Sequence, residues 1–321
     1  MRILLSIVLA LAFVAGARAD TYPSRPVTLV VPYPAGGPSD TLARILVDAL
    51  RGPLGQPIIV ENIGGAGGSI GAGRVARATP DGYTLILGHV QTHVMNAAAQ
   101  NLQFDVVKDF EPVSLVADSP QWLVVRKTFP ANDLKEAMAW LKANPGKATA
   151  GVVGIGGPPD VAAIYFQKHT GTAFQLVPYR GGAPMNQDLI AGQIDMTFGQ
   201  AASTLGSVRN GQLKVFAVLA GKRWWAAPEV PTIDEAGGPD LHSSFWHGLW
   251  APKGTPPDIV AKINAALVEA LADPTLQKRC ADIGQEIFPR EQQNPQALLA
   301  QQKAQINKWW PIIKAAGLKS D

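Results

Sequence analysis

Cysteine is nearly missing: Cys280 stands alone in 321 residues. An intrachain disulfide and a cysteine metal cluster are therefore both excluded. Histidine is scarce as well, with five copies, and no acidic cluster accompanies them. Charge of one sign is absent, because 28 Lys and Arg face 25 Asp and Glu. That balance points to neither a nucleic acid nor a membrane surface as partner. Beyond the first residues no apolar run is long enough to span a bilayer, which takes roughly 20 residues. What is abundant is glycine (32) and proline (26), in a chain that is still 47% hydrophobic. Such a composition excludes disorder and implies many short elements with frequent breaks.

The opening stretch, MRILLSIVLALAFVAGARAD, has one early Arg2, an apolar run from Ile3 to Val14, and small residues at Ala17 and Ala19. It reads as a secretory leader (residues 1–19) cut between Ala19 and Asp20. Its apolar run is too short for a membrane helix, and no cysteine near the cut would take a lipid. The chain is thus expected to be exported. The mature length, 321 less 19, favours two domains.

Strand and helix signals alternate. VTLVVPY, PIIVEN and YTLILGH read as strands, and the segment after Tyr33 carries Leu42, Ile45, Leu46, Ala49 and Leu50 at helical spacing. Ser39 or Asp40 is the natural N-cap there. The passage EPVSLVADSPQWLVVRK reads as two strands or one crossing segment, interrupted at Pro120. A second α/β series follows, and helical segments close the chain. This pattern predicts two α/β lobes around a central cleft, with mostly parallel sheets. Residues 20–122 and 247–321 are assigned to lobe 1 and 123–246 to lobe 2, with crossovers near 122 and 246. The helical tail is expected to pack back on lobe 1. Ligands in open α/β sheets bind at strand-to-helix turns.

Several motifs invite chemistry. GGSIG fits G-x-S-x-G with Ser69 as a hydrolase nucleophile. A nucleophile elbow, however, is fed directly by a strand, and here IGGAG intervenes. GAGRVA fits a relaxed dinucleotide pattern without the acidic ribose anchor. His89 and His93 stand four apart, but Gly88 ends a strand beside them, so helical metal-ligand geometry is not expected. One of the pair should line a cleft or cap a turn. Trp224-Trp225 and Trp309-Trp310 are expected in packing, and Trp246 at a crossover. No catalytic residue, metal or cofactor is expected.

What remains is a set of glycine-rich turns: Gly36-Gly37, Gly64 to Gly68, Gly156-Gly157 and Gly181-Gly182. Backbone N–H groups clustered at helix starts favour a carboxylate by roughly 0.3–1 kcal/mol per helix end. Several converging on one cleft would hold an anion without any arginine. A binding protein is therefore expected, not an enzyme. A secreted serine hydrolase using Ser69 and a periplasmic sensor domain are the alternatives.

The stretches YPSRPVTLVVPYPAGGPSD, VENIGGAGGSIGAGRVARATPDGYTLILG, KDFEPVSLVA, VPYRGGAPMNQDLIAGQIDMTF, PEVPTIDEAG and APKGTPPDIVAKIN closely resemble one family in collinear order from about Tyr22 to Leu318. It is the Bug or TctC family, the periplasmic solute-binding proteins of tripartite tricarboxylate transporters. The resemblance implies a type II periplasmic-binding-protein fold that closes around a small organic anion. It further implies a monomer that delivers its ligand to a membrane permease of one large and one small subunit. The residues expected to meet the ligand are Tyr33, Ala35, Gly36, Gly37, Ser39, Asp40, Ser69 and His93 from lobe 1, with Gly156, Gly157, Asp160, Tyr179, Gly181 and Gln200 from lobe 2.

Two departures stand out. Where relatives often read Gly-Thr/Ser-x-x-His, this chain has Gly156-Gly157-Pro158-Pro159-Asp160. Where relatives often carry Asp after the MTF strand, it has Gly199-Gln200. Asp160 is either an N-cap without a ligand role or a cleft residue. In the second case its charge would favour a carboxylate with a neutral or hydrogen-bond-donating far end over citrate-like tricarboxylates.

Overall fold

A computed structural model describes residues 22–319. The predicted leader and its cleavage site lie outside them. In chain order the first elements are β1 (Val27–Val31), α1 (Pro38–Leu54), β2 (Ile58–Asn62), α2 (Ser69–Ala76), β3 (Thr84–His89), a π-helical turn (Gln91–Met95), α3 (Asn96–Ala99) and β4 (Phe110–Asp118). The middle of the chain forms β5 (Gln121–Arg126), α4 (Leu134–Ala143), β6 (Thr149–Val153), α5 (Pro158–Thr170), β7 (Gln175–Tyr179), α6 (Gly182–Ala191), β8 (Met196–Gln200), α7 (Ala201–Arg209) and β9 (Leu213–Val218). The last part supplies β10 (His247–Pro252), α8 (Pro257–Leu271), α9 (Pro274–Asp282), β11 (Glu286–Ile287) and α10 (Pro295–Ala315).

The strands form two sheets. The first runs β11-β4-β10-β3-β1-β2 and the second β7-β6-β8-β5-β9. Apart from the short edge strand β11, the two orders correspond element by element. In each, a strand (β1 or β6) lies parallel to two neighbours, and the central strand (β10 or β5) is antiparallel to both of its own. The chain is a mixed α/β protein of two lobes, one per sheet.

The apolar stripe read on α1 is the buried one. Leu42, Ile45, Leu46 and Leu50 are all buried, in one core with Leu29, Leu87 and Leu267. Burying each such side chain stabilises the lobe by about 1.5–3 kcal/mol. The start of α1 differs from the expectation. Gly37 is the N-cap and Pro38 the first helical residue, so Ser39 and Asp40 stand inside the first turn. Proline is favoured there because its missing N–H would have no helical partner anyway.

The segments between the sheets pair with each other. Ser119 and Phe245 exchange backbone hydrogen bonds (3.3 and 2.8 Å), and Gln121 N–H donates to the Ser243 carbonyl at 3.0 Å. Leu219 N–H donates to the Gln121 carbonyl at 2.8 Å. A narrow hydrogen-bonded ribbon therefore joins the lobes. The C-terminal helix packs on the first lobe. Gln302 Nε2 donates to the carbonyls of His93 and Val106, both at 2.8 Å, and Trp310 Nε1 donates to the Val94 carbonyl at 2.9 Å. These bonds pin the π-helical turn from outside. Trp246 and Trp309 are buried, whereas Trp225 is exposed.

Candidate functional site

Between the lobes lies a cleft. The first lobe contributes Tyr33 to its wall at the end of β1, then Gly37, Pro38 and Ser39 at the head of α1, and His89 and Gln91 after β3. The second lobe contributes Val153 at the end of β6, Gly181 to Met185 at the head of α6, and Gln200 at the end of β8. Phe245, on the connecting ribbon, closes one side. No residue lining the cleft is charged.

Charge must therefore be met by dipoles. In α1 the leading residue is Pro38, so the unspent N–H groups of the first turn are those of Ser39 and Asp40. In α6 they are those of Gly182 and Ala183, because Pro184 has none. Two helix N-termini, one from each lobe, thus border one uncharged cavity, and each favours an anion. Helix α5 differs. Pro158 and Pro159 remove two of its leading donors, and Gly157 N–H is turned to the Gly154 carbonyl at 3.4 Å.

Side chains supply the rest. Gln200 is buried and its Nε2 has no hydrogen-bond partner among the described residues, so a donor stands ready beside the cavity. An unmet buried donor costs about 1–3 kcal/mol, and a ligand oxygen would recover that. His89 stacks on Tyr33 with ring centroids 4.8 Å apart. Its Nδ1 accepts from Gln91 N–H at 3.1 Å, which leaves the proton on Nε2. Burial holds its pKa well below the ordinary value, with His247 and His93 adding to the effect. His89 is thus a neutral donor. Behind Ser39, His247 Nε2 lies 3.1 Å from Ser39 Oγ, and burial lowers the His247 pKa to about 4.

Of the residues expected at the ligand, Tyr33, Gly37, Ser39, Gly181 and Gln200 line this cleft. The others do not, and each has a visible reason. Ala35 is exposed on the turn, and Gly36 faces a different surface hollow. Asp40 turns back to cap its own helix, where its carboxylate accepts from Gly36 N–H, Arg44 Nε and Asn62 Nδ2 at 2.9–3.0 Å. Ser69 donates from Oγ to Gln100 Oε1 at 2.6 Å and accepts from Asn96 Nδ2 at 2.8 Å. Neither partner is a base that would activate the hydroxyl. His93 is wholly buried, stacked on Trp250 at 3.7 Å. The histidine beside the cleft is His89. Tyr179 donates its hydroxyl to Asp188 at 2.7 Å. Asp160 accepts from Gly156 N–H at 2.7 Å.

Gly156 serves close approach between the lobes, since a Cβ there would stand 2.3 Å from Cβ of Ala99 on the other lobe. A Cβ on Gly157 would meet the Val153 carbonyl of its own lobe at 2.4 Å and Gln91 Nε2 of the other lobe at 2.6 Å. Sequence reasoning passed over Gln91, Met185 and Phe245 as cleft residues, and of the histidine pair it placed His93, not His89, at the ligand. The one signal available was the polar run Gln91-Thr92-His93 just after a strand.

A cleft between two α/β lobes, bordered by helix N-termini and joined by a narrow ribbon, defines a two-lobed solute-binding protein. Residues 42–318 match the family described as tripartite tricarboxylate transporter family receptor, TctC, and the chain belongs to it. An Agrobacterium vitis protein from the TAR-I ttuE-ttuC' intergenic region is 40% identical, over 96% of this chain and 88% of its own. Protein BugT of Bordetella pertussis is 33% identical, over 95% and 93%. Among solved structures, the periplasmic binding protein BugD superposes with a TM-score of 0.88 at 38% identity, covering 93% of this chain and all of BugD. MatC of Rhodopseudomonas palustris, solved with bound malate, gives 0.87 at 37% identity, covering 91% of this chain and all of MatC. An R. palustris relative solved with adipate gives 0.87 at 32%, covering 92% and 98%.

Proposed function

We propose that this protein is exported to the periplasm, loses its leader between Ala19 and Asp20, and captures a small dicarboxylate for delivery to a two-subunit membrane permease. It acts as a monomer and as a carrier, with no chemical step. The observation that carries the reading is the pair of helix N-termini, α1 and α6, on opposite walls of an uncharged cavity. One carboxylate at each end would hold the lobes together through the ligand. Val153, Pro159, Met185 and Phe245 would cover the carbon chain between them. The expectation of a neutral far end rested on Asp160 facing the ligand. Asp160 lies outside the cleft lining with its carboxylate bonded to Gly156, so that objection to a second carboxylate falls away. Relatives solved with malate and adipate support a dicarboxylate. The lobes would close by bending at the paired segments around Ser119–Gln121 and Ser243–Phe245.

A thermal-shift screen of mono-, di- and tricarboxylates tests the proposal. Dicarboxylates between malate and adipate in size should raise the melting temperature by mass action. If no carboxylate raises it, the reading fails. Mass spectrometry of the exported protein, showing Asp20 as first residue or not, decides the cleavage site.

A further inference from the structure

We propose that Gln91 is the latch of the cleft: a first-lobe side chain that bonds the second lobe beside the ligand and sets how long the trap stays shut. The inference rests on the trap-like carrier reading above and adds a positioning residue to it. Gln91 opens the π-helical turn after β3, is 1% exposed, and lines the cavity. Its Nε2 donates to the Val153 carbonyl, at the end of β6 in the other lobe, at 2.9 Å. Its Oε1 lies 3.3 Å from the Tyr33 hydroxyl, which also lies 3.2 Å from the Gly67 carbonyl. The backbone is fixed too, because Gln91 N–H is held by His89 Nδ1.

Around the amide is a socket of glycines drawn from both lobes. A Cβ on Gly67 or Gly154 would lie 2.8 Å from Nε2, and one on Gly157 would lie 2.6 Å away. A Cβ on Gly154 would also stand 3.3 Å from the Gly67 Cα, so the two chains nearly touch there. A buried glutamine serving only its own lobe has no need of a bond to the opposite one. When the lobes part, the amide and the Val153 carbonyl lose each other. Every opening therefore breaks this bond, whichever ligand is inside. Because π-turns interrupt regular helices chiefly where function requires it, the location fits the role.

The test uses the whole chain in two variants, Gln91→Met, which keeps length without polar atoms, and Gln91→Glu, which keeps the shape but turns an acceptor toward the Val153 carbonyl. Spin labels at Arg51→Cys and Lys142→Cys, one exposed site per lobe, report the inter-lobe distance in a Cys280→Ala background. Ligand-free protein should show a closed component that both variants lose. Its absence in the unaltered chain, or its persistence in both variants, overturns the latch. Stopped-flow tryptophan fluorescence with malate and adipate should show dissociation about three- to tenfold faster, with association within about twofold. Faster association with unchanged dissociation would also overturn it. If neither dicarboxylate binds the unaltered chain, the ligand assignment fails while the distance measurement still decides the latch.

Discussion

Asp40 and Asp160, on opposite lobes, make the same bond. Each carboxylate accepts from the N–H of the glycine four residues before it, Gly36 at 2.9 Å and Gly156 at 2.7 Å. Both glycines are left-handed (φ +80° and +72°), and each turn continues through an extended glycine N-cap into a proline. The turn GGPPD, a departure from the relatives' pattern, is thus a copy of GGPSD in the first lobe. The surroundings differ. Burial opposes the charge on Asp40, but Arg44, Gly36 N–H and Asn62 outweigh it and hold the pKa low. On Asp160 burial prevails over its single backbone bond and raises the pKa.

Opposite responses follow for the two asparagine variants. Asp40 contributes stability that is present above its unfolded pKa and fades as pH falls through the lower folded value. Asp40→Asn should cost roughly 1–3 kcal/mol at neutral pH. Asp160, with a raised pKa, becomes costlier as pH rises. Asp160→Asn should therefore not lower the melting temperature at pH 7.5, and should leave the ratio of mono- to dicarboxylate affinities unchanged. Thermal melts at pH 4 and 7.5 with calorimetric titrations check both.

Gln200→Leu removes the unpaired donor beside the cavity while keeping bulk. Affinity for the best dicarboxylate should fall about tenfold, or roughly 1.4 kcal/mol. Isothermal titration giving equal affinities would remove Gln200 from the site.

At Gly37 the backbone is extended, and an added Cβ would come no closer than 3.4 Å, to the Pro34 carbonyl. Gly37→Val should fold normally and lose about tenfold in affinity as its side chain enters the cleft. Gly36→Val, forced into left-handed backbone, should instead lose stability by about 1–2 kcal/mol. Melting and binding measured side by side distinguish the two effects.

Asp118 sits where the first sheet meets the connecting ribbon. Its Oδ1 is buried without a partner, and it lies opposite Glu286 in the β4–β11 ladder. Burial, with Glu286 adding to it, raises its pKa to about 6 against hydrogen bonds from Ser244 and Ser119. The folded protein therefore binds the extra proton between the unfolded pKa and about 6, and stability drops as pH rises through that window. Asp118→Asn should raise the melting temperature at pH 7.5 by about 2 °C or more, and by much less at pH 4. Equal gains at both values would contradict the assignment.

Periodicity and turn chemistry made most strands and helices legible before the structure, including the break at Pro120 between β4 and β5. Helix α7 was not legible, because AASTLGSVR has small and polar residues and no apolar stripe. The π-turn QTHVM was hidden similarly, since bonds from α10, far along the chain, secure its carbonyls. Within the site, residues at the starts of α1 and α6 could be read because helix starts carry local signals. Which histidine faces the cleft could not, since the burial of His93 is decided by Trp250. Gly156 was hidden for the same reason. Its tight fit is against Ala99 of the other lobe, a contact that no local pattern encodes.

The interleaving of the two sheets bears on the order in which the chain can fold as it is made. All five strands of the second sheet come from one continuous stretch, Gln121–Val218. The first sheet is not continuous, because β10 is inserted between β3 and β4 and arrives only with His247–Pro252. Until those residues emerge, β3 and β4 each present a bare edge, the kind of surface that invites pairing with other chains. The lobe made first is thus the lobe finished last, and its sheet stays split until nearly four-fifths of the chain has been made.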